Sequence, residues 1–261
     1  MNQRNLLEEI LQRRRKEVAS QRAAGEGKIK CVRAATPHRL RAALRAGGAM
    51  KIIAEFKRAS PSLGEIRRDA NPAQIARQYE SAGACAISVL TEPDFFHGSL
   101  DDLRAVRAVS RLPILRKDFI VDSSQIEEAA VAGADAILLI VAALSDAELS
   151  RLRKVAEDDL GLDALVEVHT EQEMQRAANV GARLIGVNNR DLRTFATSLE
   201  TSECLAPLAP NDATLVSASG LSSPNDLARL TRIGYHGFLI GEKLMRADDP
   251  AAAARGFLGN V

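Results

Sequence analysis

Four short stretches of this 261-residue chain place charged or amide side chains at the ends of apolar runs, and their types fit proton transfer. Glu55 and Lys57 stand two apart at the end of KIIAEF (51–56), a spacing that puts a carboxylate and an ammonium on one face of an extended segment. Arg116, Lys117 and Asp118 close PILRK (113–117), Glu167 lies in ALVEV (164–168), and Asn188, Asn189 and Arg190 end LIGVN (184–188). Taken singly, each has an ordinary structural reading: Glu55 with Lys57 as a plain ion pair, Asn188 as a turn cap. Four such groups at four separate strand ends argue for an enzyme, because burying them is costly unless they are paired or used. Ser219-Gly220 and Gly241-Glu242 follow two further apolar runs. Small residues there let backbone N–H groups approach an anion, and a following helix adds its dipole, which points to a small phosphorylated substrate.

The elements that must position these groups follow one rhythm. Eight apolar, β-branched runs read as strands: 51–56, 85–90, 113–117, 136–140, 164–168, 184–188, 214–219 and 237–241. Between them lie amphipathic segments, typified by 72–81, 124–132, 146–157 and 223–232, several opening on Ser or Asn. Gly83, Gly133, Gly161, Gly181 and Gly234 recur just before a strand, each marking a helix end that turns back into the sheet. Eight such units without a linker predict a single α/β domain, 1–261, built as a (β/α)8 TIM barrel over 49–261 with an N-terminal helical extension over 1–48. In such a barrel the chemistry sits at the carboxyl ends of the strands, where the polar groups above fall.

Composition narrows the class further. Hydrophobic residues make up 46% of the chain and no window approaches 18 uninterrupted apolar residues, so a globular protein is expected, with no membrane partner and a cytoplasmic location. Cys31, Cys85 and Cys204 form no CxxC pair and read as reduced structural thiols; no metal-ligand spacing is present. Net charge is +1, yet residues 1–50 hold twelve Lys/Arg against four Asp/Glu. A nucleic-acid arm is one reading of this leader. The better one is a helix packed through Leu6, Leu7, Ile10, Leu11 and Val18, with Arg13, Arg14, Arg15 and Lys16 mainly as a solvated face, and no nucleic-acid partner. A second short helix is expected from about Pro37 to Arg45. A monomer is expected, and association with other enzymes of a pathway stays open.

The blocks AEFKRASPSLG (54–64), SVLTEPDFFHGSLDDL (88–103), LPILRKDFIVDSSQIEEA (112–129), ALVEVHTEQEM (164–174), IGVNNRDLRTF (185–195) and FLIGEKLMRADDP (238–250) resemble, in this order, those of the indole-3-glycerol phosphate synthase family. The resemblance spans about residues 4–258. It implies a (β/α)8 barrel with a helical segment over its mouth, no metal or organic cofactor, and a role in tryptophan biosynthesis. The implied reaction is ring closure of 1-(2-carboxyphenylamino)-1-deoxyribulose 5-phosphate with loss of CO2 and water. By resemblance Lys117 is the general acid, Glu167 the base, and Lys57 the partner of the substrate carboxylate and the acid for dehydration. Glu55 orients Lys57, while Asn188 and Arg190 hold substrate and intermediates. Phe96, Phe119, Leu138 and Leu192, which residue type alone would assign to the core, match the apolar wall for the anthranilate ring. Ser219, Gly220, Gly241 and Glu242 match the phosphate turns, Glu242 through its backbone only. Acid catalysis by Lys117 further requires, on this reading, a pKa lowered by burial or by Arg116 or Lys57.

One position departs from the pattern. Where the family reads Ser-Glu-Ser-Gly, this chain reads Ser217-Ala218-Ser219-Gly220, and strand parity alone does not place position 218 in the pocket. The missing glutamate leaves open a weakened enzyme, a non-catalytic barrel that binds the phosphate ligand, or a substituted anthranilate substrate. Phosphoribosylanthranilate isomerisation, another reaction of phosphate-binding barrels, would call for a Cys and Asp pair and leaves LRKDF and VNNRDL unexplained.

Overall fold

The structure, a computed structural model, describes residues 4–23, 36–47, 50–191 and 194–259. Eight parallel strands close into a barrel: β1 (Ile52–Phe56), β2 (Ala86–Leu90), β3 (Ile114–Lys117), β4 (Ala136–Ile140), β5 (Asp163–Val168), β6 (Leu184–Asn188), β7 (Thr214–Ala218) and β8 (Tyr235–Ile240). Each strand pairs with its sequence neighbours, and β1 closes the ring on β8 through Ile52↔Phe238, Ile53↔Leu239 and Ala54↔Ile240. The expected strands are all present, two with the expected bounds and the others with ends moved by at most two residues. The largest change is at β8, which begins two residues early at Tyr235 and carries an irregularity before Gly237; β7 stops one residue short, before Ser219.

Helices α1 (Arg4–Ala23) and α2 (Arg39–Arg45) precede the barrel. Around it run α3 (Pro72–Ser81), α4 (Leu100–Arg107), α5 (Ser123–Ala132), α6 (Asp146–Lys154), α7 (Glu171–Asn179), α8 (Glu200–Leu205), α9 (Pro224–Arg232) and α10 (Pro250–Leu258). The turn chemistry acts as the sequence implies. Asn71, Asp122, Ser145, Thr170 and Ser223 cap helix starts by accepting backbone N–H groups, and the five recurrent glycines leave helices with positive φ. The expected helix over 146–157 instead stops at Lys154 and passes into a π-helical turn over Val155–Asp159.

Two apolar layers follow from strand alternation. Outward side chains such as Ile52, Ile87, Ile114 and Val166 pack beneath the helices. Inward ones, among them Ile53, Ala86, Leu115, Leu165, Leu184, Val216 and Leu239, fill the barrel and are joined there by Leu40 and Leu44 of α2. That helix therefore closes the amino-terminal end of the barrel. His38 N–H donates to Gly161 O (3.0 Å), and Arg41 N–H donates to Asp163 Oδ2 (2.9 Å). Arg39 reaches Asp135 (2.7 Å), and Arg45 donates to Asp212 O (3.0 Å). Gly237 makes room for this plug, since a Cβ there would run into Leu44 Cδ2.

Leu44→Ala should lower stability by about 2–5 kcal/mol, as for other large-to-small core changes. Gly237→Ala should also destabilise. The double variant should lose less than the sum of the two, because truncating Leu44 vacates the space the new methyl needs. Denaturant unfolding of the three variants checks this; strict additivity would show that the two positions do not share that space.

Candidate active site

At the carboxyl end of the barrel the strands surround a cavity of about 380 Å³. It is lined by Glu55, Lys57, Lys117, Glu167, Asn188, Arg190, Ser219, Gly220, Gly241, Glu242, Phe96, Phe119 and Leu138, which are all the expected site residues except Leu192. Leu192 lies outside the described residues, as does Cys31. Cys85 is largely buried, and burial pushes its thiol up to about 12, consistent with an inert structural residue. Cys204 is exposed.

Alternation explains why β3 presents Lys117 to this cavity. Lys117 turns inward, so Arg116 and Asp118 turn outward, where Arg116 Nη2 meets Asp118 Oδ2 at 3.0 Å. Asp118 is fully buried and accepts from Thr91 Oγ1 (2.6 Å), the Phe119 N–H (2.8 Å) and Arg14 Nη2 (2.7 Å). Burial alone would raise its pKa, but Arg116 and Arg14 outweigh that and hold it below the usual carboxylate value. Arg116 is thus committed behind the strand and is not the neighbour that would lower the pKa of Lys117. Its remaining donors go to Gln125 O (2.6 Å) and Glu128 (3.4 Å).

Inside the cavity Lys117 Nζ lies 3.6 Å from Glu167 Oε2, and Asn188 Nδ2 donates to Glu167 Oε1 at 3.1 Å. Burial works against the charge on both groups. For Lys117 it is outweighed by Glu167 and Glu55, so its pKa is raised, opposite to the sequence-based expectation. For Glu167 it is outweighed by Lys117, His169 and the Asn188 hydrogen bond, so its pKa is lowered. The pair is an ammonium facing a carboxylate at neutral pH. Lys57 Nζ sits 3.0 Å from Glu55 Oε1, the contact expected from their spacing. Asn188 also caps the turn, accepting from the Arg190 N–H at 3.1 Å, while its side chain lines the cavity.

The rim of β7 and β8 is shaped by a buried residue that the sequence reading names among the polar strand ends without giving it a role. Asn189 points away from the cavity and donates to Ser217 Oγ (2.9 Å), Ala218 O (3.1 Å) and Ser219 O (3.0 Å), while accepting from Ser202. It holds Ser219 in the left-handed region at φ 68, with Gly220 following at φ 74. A non-glycine residue there is uncommon and needs such restraint. At Gly241, a Cβ would fall on the Glu55 carboxylate, so glycine is required for Glu55 to occupy its place. The Glu242 carboxylate faces Arg190 Nη2 at 3.8 Å and Arg246 at 4.0 Å, so it has cationic partners of its own. Ala218 lines the cavity, in register with Asn188 on β6 and Leu239 on β8, which corrects the parity argument that left it outside.

The apolar wall and roof come from three elements. The Glu92 carboxylate accepts the N–H groups of Asp94, Phe95 and Phe96 at 2.7–3.1 Å and folds the turn Pro93–Phe96. This brings Phe96 to 6.2 Å from Phe119 between ring centroids. From above, Leu6, Leu7 and Ile10 of α1 complete the lining. Successive arginines of α1 grip three different βα units: Arg13 reaches Asp94 after β2 (3.1 Å), Arg14 reaches Asp118 after β3, and Arg15 reaches Glu148 in the first turn of α6 (2.9 Å). The expected solvated face therefore holds for Lys16, which is exposed, and fails for Arg14, whose side chain is only 13% exposed. Ser60, Pro61 and Ser62 after β1, with Phe195 and Thr197 after β6, also line the cavity. They carry no charge signal, and only proximity in the fold identifies them.

A closed eight-stranded parallel barrel with opposed ammonium and carboxylate groups at its carboxyl rim is the layout of a (β/α)8-barrel enzyme with acid–base chemistry. Comparison with known proteins is specific about which. The family model described as indole-3-glycerol phosphate synthase matches residues 7–257, and the chain belongs to that family. It is 52% identical over 224 residues to the indole-3-glycerol phosphate synthase of Carboxydothermus hydrogenoformans, covering 83% of this chain and 84% of the relative. It is 48% identical over 257 residues to that of Koribacter versatilis, covering 97% and 98%. Among solved structures, a thiamine phosphate pyrophosphorylase from Pyrococcus furiosus shares the fold, with TM-score 0.58, 16% identity and coverage of 80% of this chain and 93% of that one. No helix among the described residues is long and apolar enough to cross a membrane.

Removing Asp118 as Asp118→Asn should cost about 3–5 kcal/mol, because two buried or half-buried guanidinium groups lose their counter-charge. With a depressed folded pKa, Asp118 stabilises the protein above the unfolded carboxylate value of about 4, and that contribution fades as pH falls through the folded value. Unfolding followed from pH 7 to pH 2 should show an acid-labile transition in the wild type that is blunted in the variant.

Proposed function

We propose that this chain is an indole-3-glycerol phosphate synthase, a carboxy-lyase of tryptophan biosynthesis that closes the pyrrole ring of its phosphorylated substrate. The observation that supports this most directly is the Lys117–Glu167 opposition at 3.6 Å inside a cavity that also holds the Lys57–Glu55 pair. In the first step the aryl carbon bearing the carboxylate bonds to the ketone carbon. The carbonyl electron pair takes a proton from the Lys117 ammonium and becomes a hydroxyl. The bond to the carboxylate then breaks, releasing CO2 and restoring the aromatic ring. In the last step the hydroxyl leaves as water with a proton from Lys57, and the adjacent carbon gives its proton to Glu167. A lysine with a raised pKa is fully protonated at neutral pH, and the developing alkoxide is a stronger base than the amine left behind.

The remaining lining groups complete the reading. Lys57 faces the substrate carboxylate, with Glu55 fixing its direction; Asn188 and Arg190 hold the substrate and intermediates. Phe96, Phe119 and Leu138, with Leu192 in the same role, receive the aromatic ring. The phosphate sits at the turns of Ser219, Gly220, Gly241 and Glu242, whose small residues let the backbone come close. The excess of basic residues over 1–50 favours approach of an anionic substrate. The chain acts as a cytoplasmic monomer without cofactor. Ala218 takes the place of the family glutamate and leaves catalysis to the groups above.

The purified protein should turn over the synthetic carboxyphenylamino substrate, read by the appearance of indole absorbance or fluorescence. Lys117→Ala should lower kcat by about 10²–10⁴-fold, and unchanged turnover would remove Lys117 as the acid. Ala218→Glu should raise the rate if the site is a weakened version of the family's; binding without CO2 release in the parent chain would instead mark a non-catalytic barrel. The wild-type pH profile should be a broad plateau. Activity falls on the acid side as Glu167 protonates at its depressed pKa, and on the alkaline side as Lys117 deprotonates above the ordinary lysine range.

A further inference from the structure

His169 stands two residues beyond Glu167, past the end of β5, and takes no part in the steps above. Its side chain is 9% exposed. The backbone N–H of His169 donates to Glu173 Oε2 at 2.7 Å, and Nδ1 lies 3.3 Å from the same oxygen. Glu173 is itself fixed, because it stands in the first turn of α7 and its own N–H donates to the Thr170 cap at 3.2 Å. This clamp points Nε2 of the ring at Glu167 Oε1, 3.7 Å away, and among the described residues that buried nitrogen has no hydrogen-bond partner. The charges facing His169 are Glu167 on its own strand, Glu173 from α7 and Lys117 from β3. They form an alternating row: ammonium, carboxylate, imidazole, carboxylate.

We propose that His169 is a positioning residue for the base, its clamped imidazole serving as a second cationic partner that keeps Glu167 ionised and aimed while Lys117 turns to the substrate. The row supplies the reason. Lys117 and Asn188 hold Glu167 in the free protein, but proton donation to a ketone draws the ammonium away and then neutralises it. A buried carboxylate left without a cation protonates or reorients. His169 is not among the residues lining the cavity and its ring is clamped to Glu173 of α7, so it stays in place as substrate arrives. Glu173 fixes the proton on Nδ1 and favours a second one on Nε2, facing Glu167. Burial lowers the imidazole pKa, but Glu173 and Glu167 outweigh it and the net displacement is upward, in the sense this role needs. The inference rests on Glu167 being the base.

The test is the pH dependence of kcat and KM for His169→Gln, which retains a donor without the charge, and for Glu173→Gln at the edge of α7. Loss of the cation should move the acid limb of kcat upward by about one pH unit. Below the limb that is roughly a tenfold loss in kcat, with KM within about twofold of the parent. Glu173→Gln should shift the limb in the same direction by less, because an unclamped imidazole holds its second proton more weakly; it carries the test alone where His169→Gln does not fold. A limb unmoved in the folded variants, a loss confined to KM, or an opposite shift in Glu173→Gln would overturn the proposal. Glu167→Gln separates the two levels. If it keeps full turnover, the base is misassigned; if it is inactive while His169→Gln leaves the limb unmoved, only the role of His169 fails.

Discussion

The buried carboxylate of Asp118 is the constraint on which the working end of the barrel depends. Few groups in the protein are so thoroughly committed: two guanidinium groups, a hydroxyl and a backbone N–H converge on its two oxygens. Because Asp118 is fixed on the outer side of β3, Lys117 must face inward, and Phe119 leaves the strand toward the aromatic wall. Because one of its partners belongs to α1, the same carboxylate ties the roof of the cavity to the strand carrying the proposed acid. An isolated buried ion would be prohibitively costly. This one is tolerated because hydrogen bonds and opposite charge compensate its lost hydration, and its pKa is depressed in spite of complete burial.

The interior of the cup follows the same logic at higher stakes. Lys117 and Glu167 stabilise each other's charged forms, so the resting site is pre-set with its proton on nitrogen. Its cations and carboxylates are matched by sign around a small volume, Lys57 with Glu55, Lys117 with Glu167 and Arg190 with Glu242. Asn188 and Asn189 show how adjacent residues divide the labour. One holds the Glu167 carboxylate and the other holds the turn after β7, because consecutive side chains in a strand point to opposite faces.

Much of this was legible in the sequence, for reasons that also mark its limits. Strand alternation put Glu55 beside Lys57, and β-branched runs between capped helices specified eight units in order, so thirteen expected site residues reach one cavity. What escaped depends on partners distant in the chain. Arg14 looks like any arginine in a basic helix until Asp118, over a hundred residues away, is folded beneath it. Arg116 looked like a neighbour of Lys117, yet adjacency in a strand guarantees separation across it. The pKa of Lys117 was misjudged because its carboxylate partner comes from a different strand. Ala218 was misplaced because β7 ends one residue sooner than the apolar run suggests, and Ser219 then departs in the left-handed conformation. The plug formed by Leu40 and Leu44 carries no signal beyond a short amphipathic stretch.

Both ends of the barrel are sealed from one stretch of chain, α1 over the mouth and α2 beneath the floor. Neither docking surface exists until β8 has paired with β1, so closing the ring and burying Ile10, Leu40 and Leu44 are coupled events. A lesion that opens the β1–β8 seam would therefore uncover apolar surface at both ends of the barrel at once.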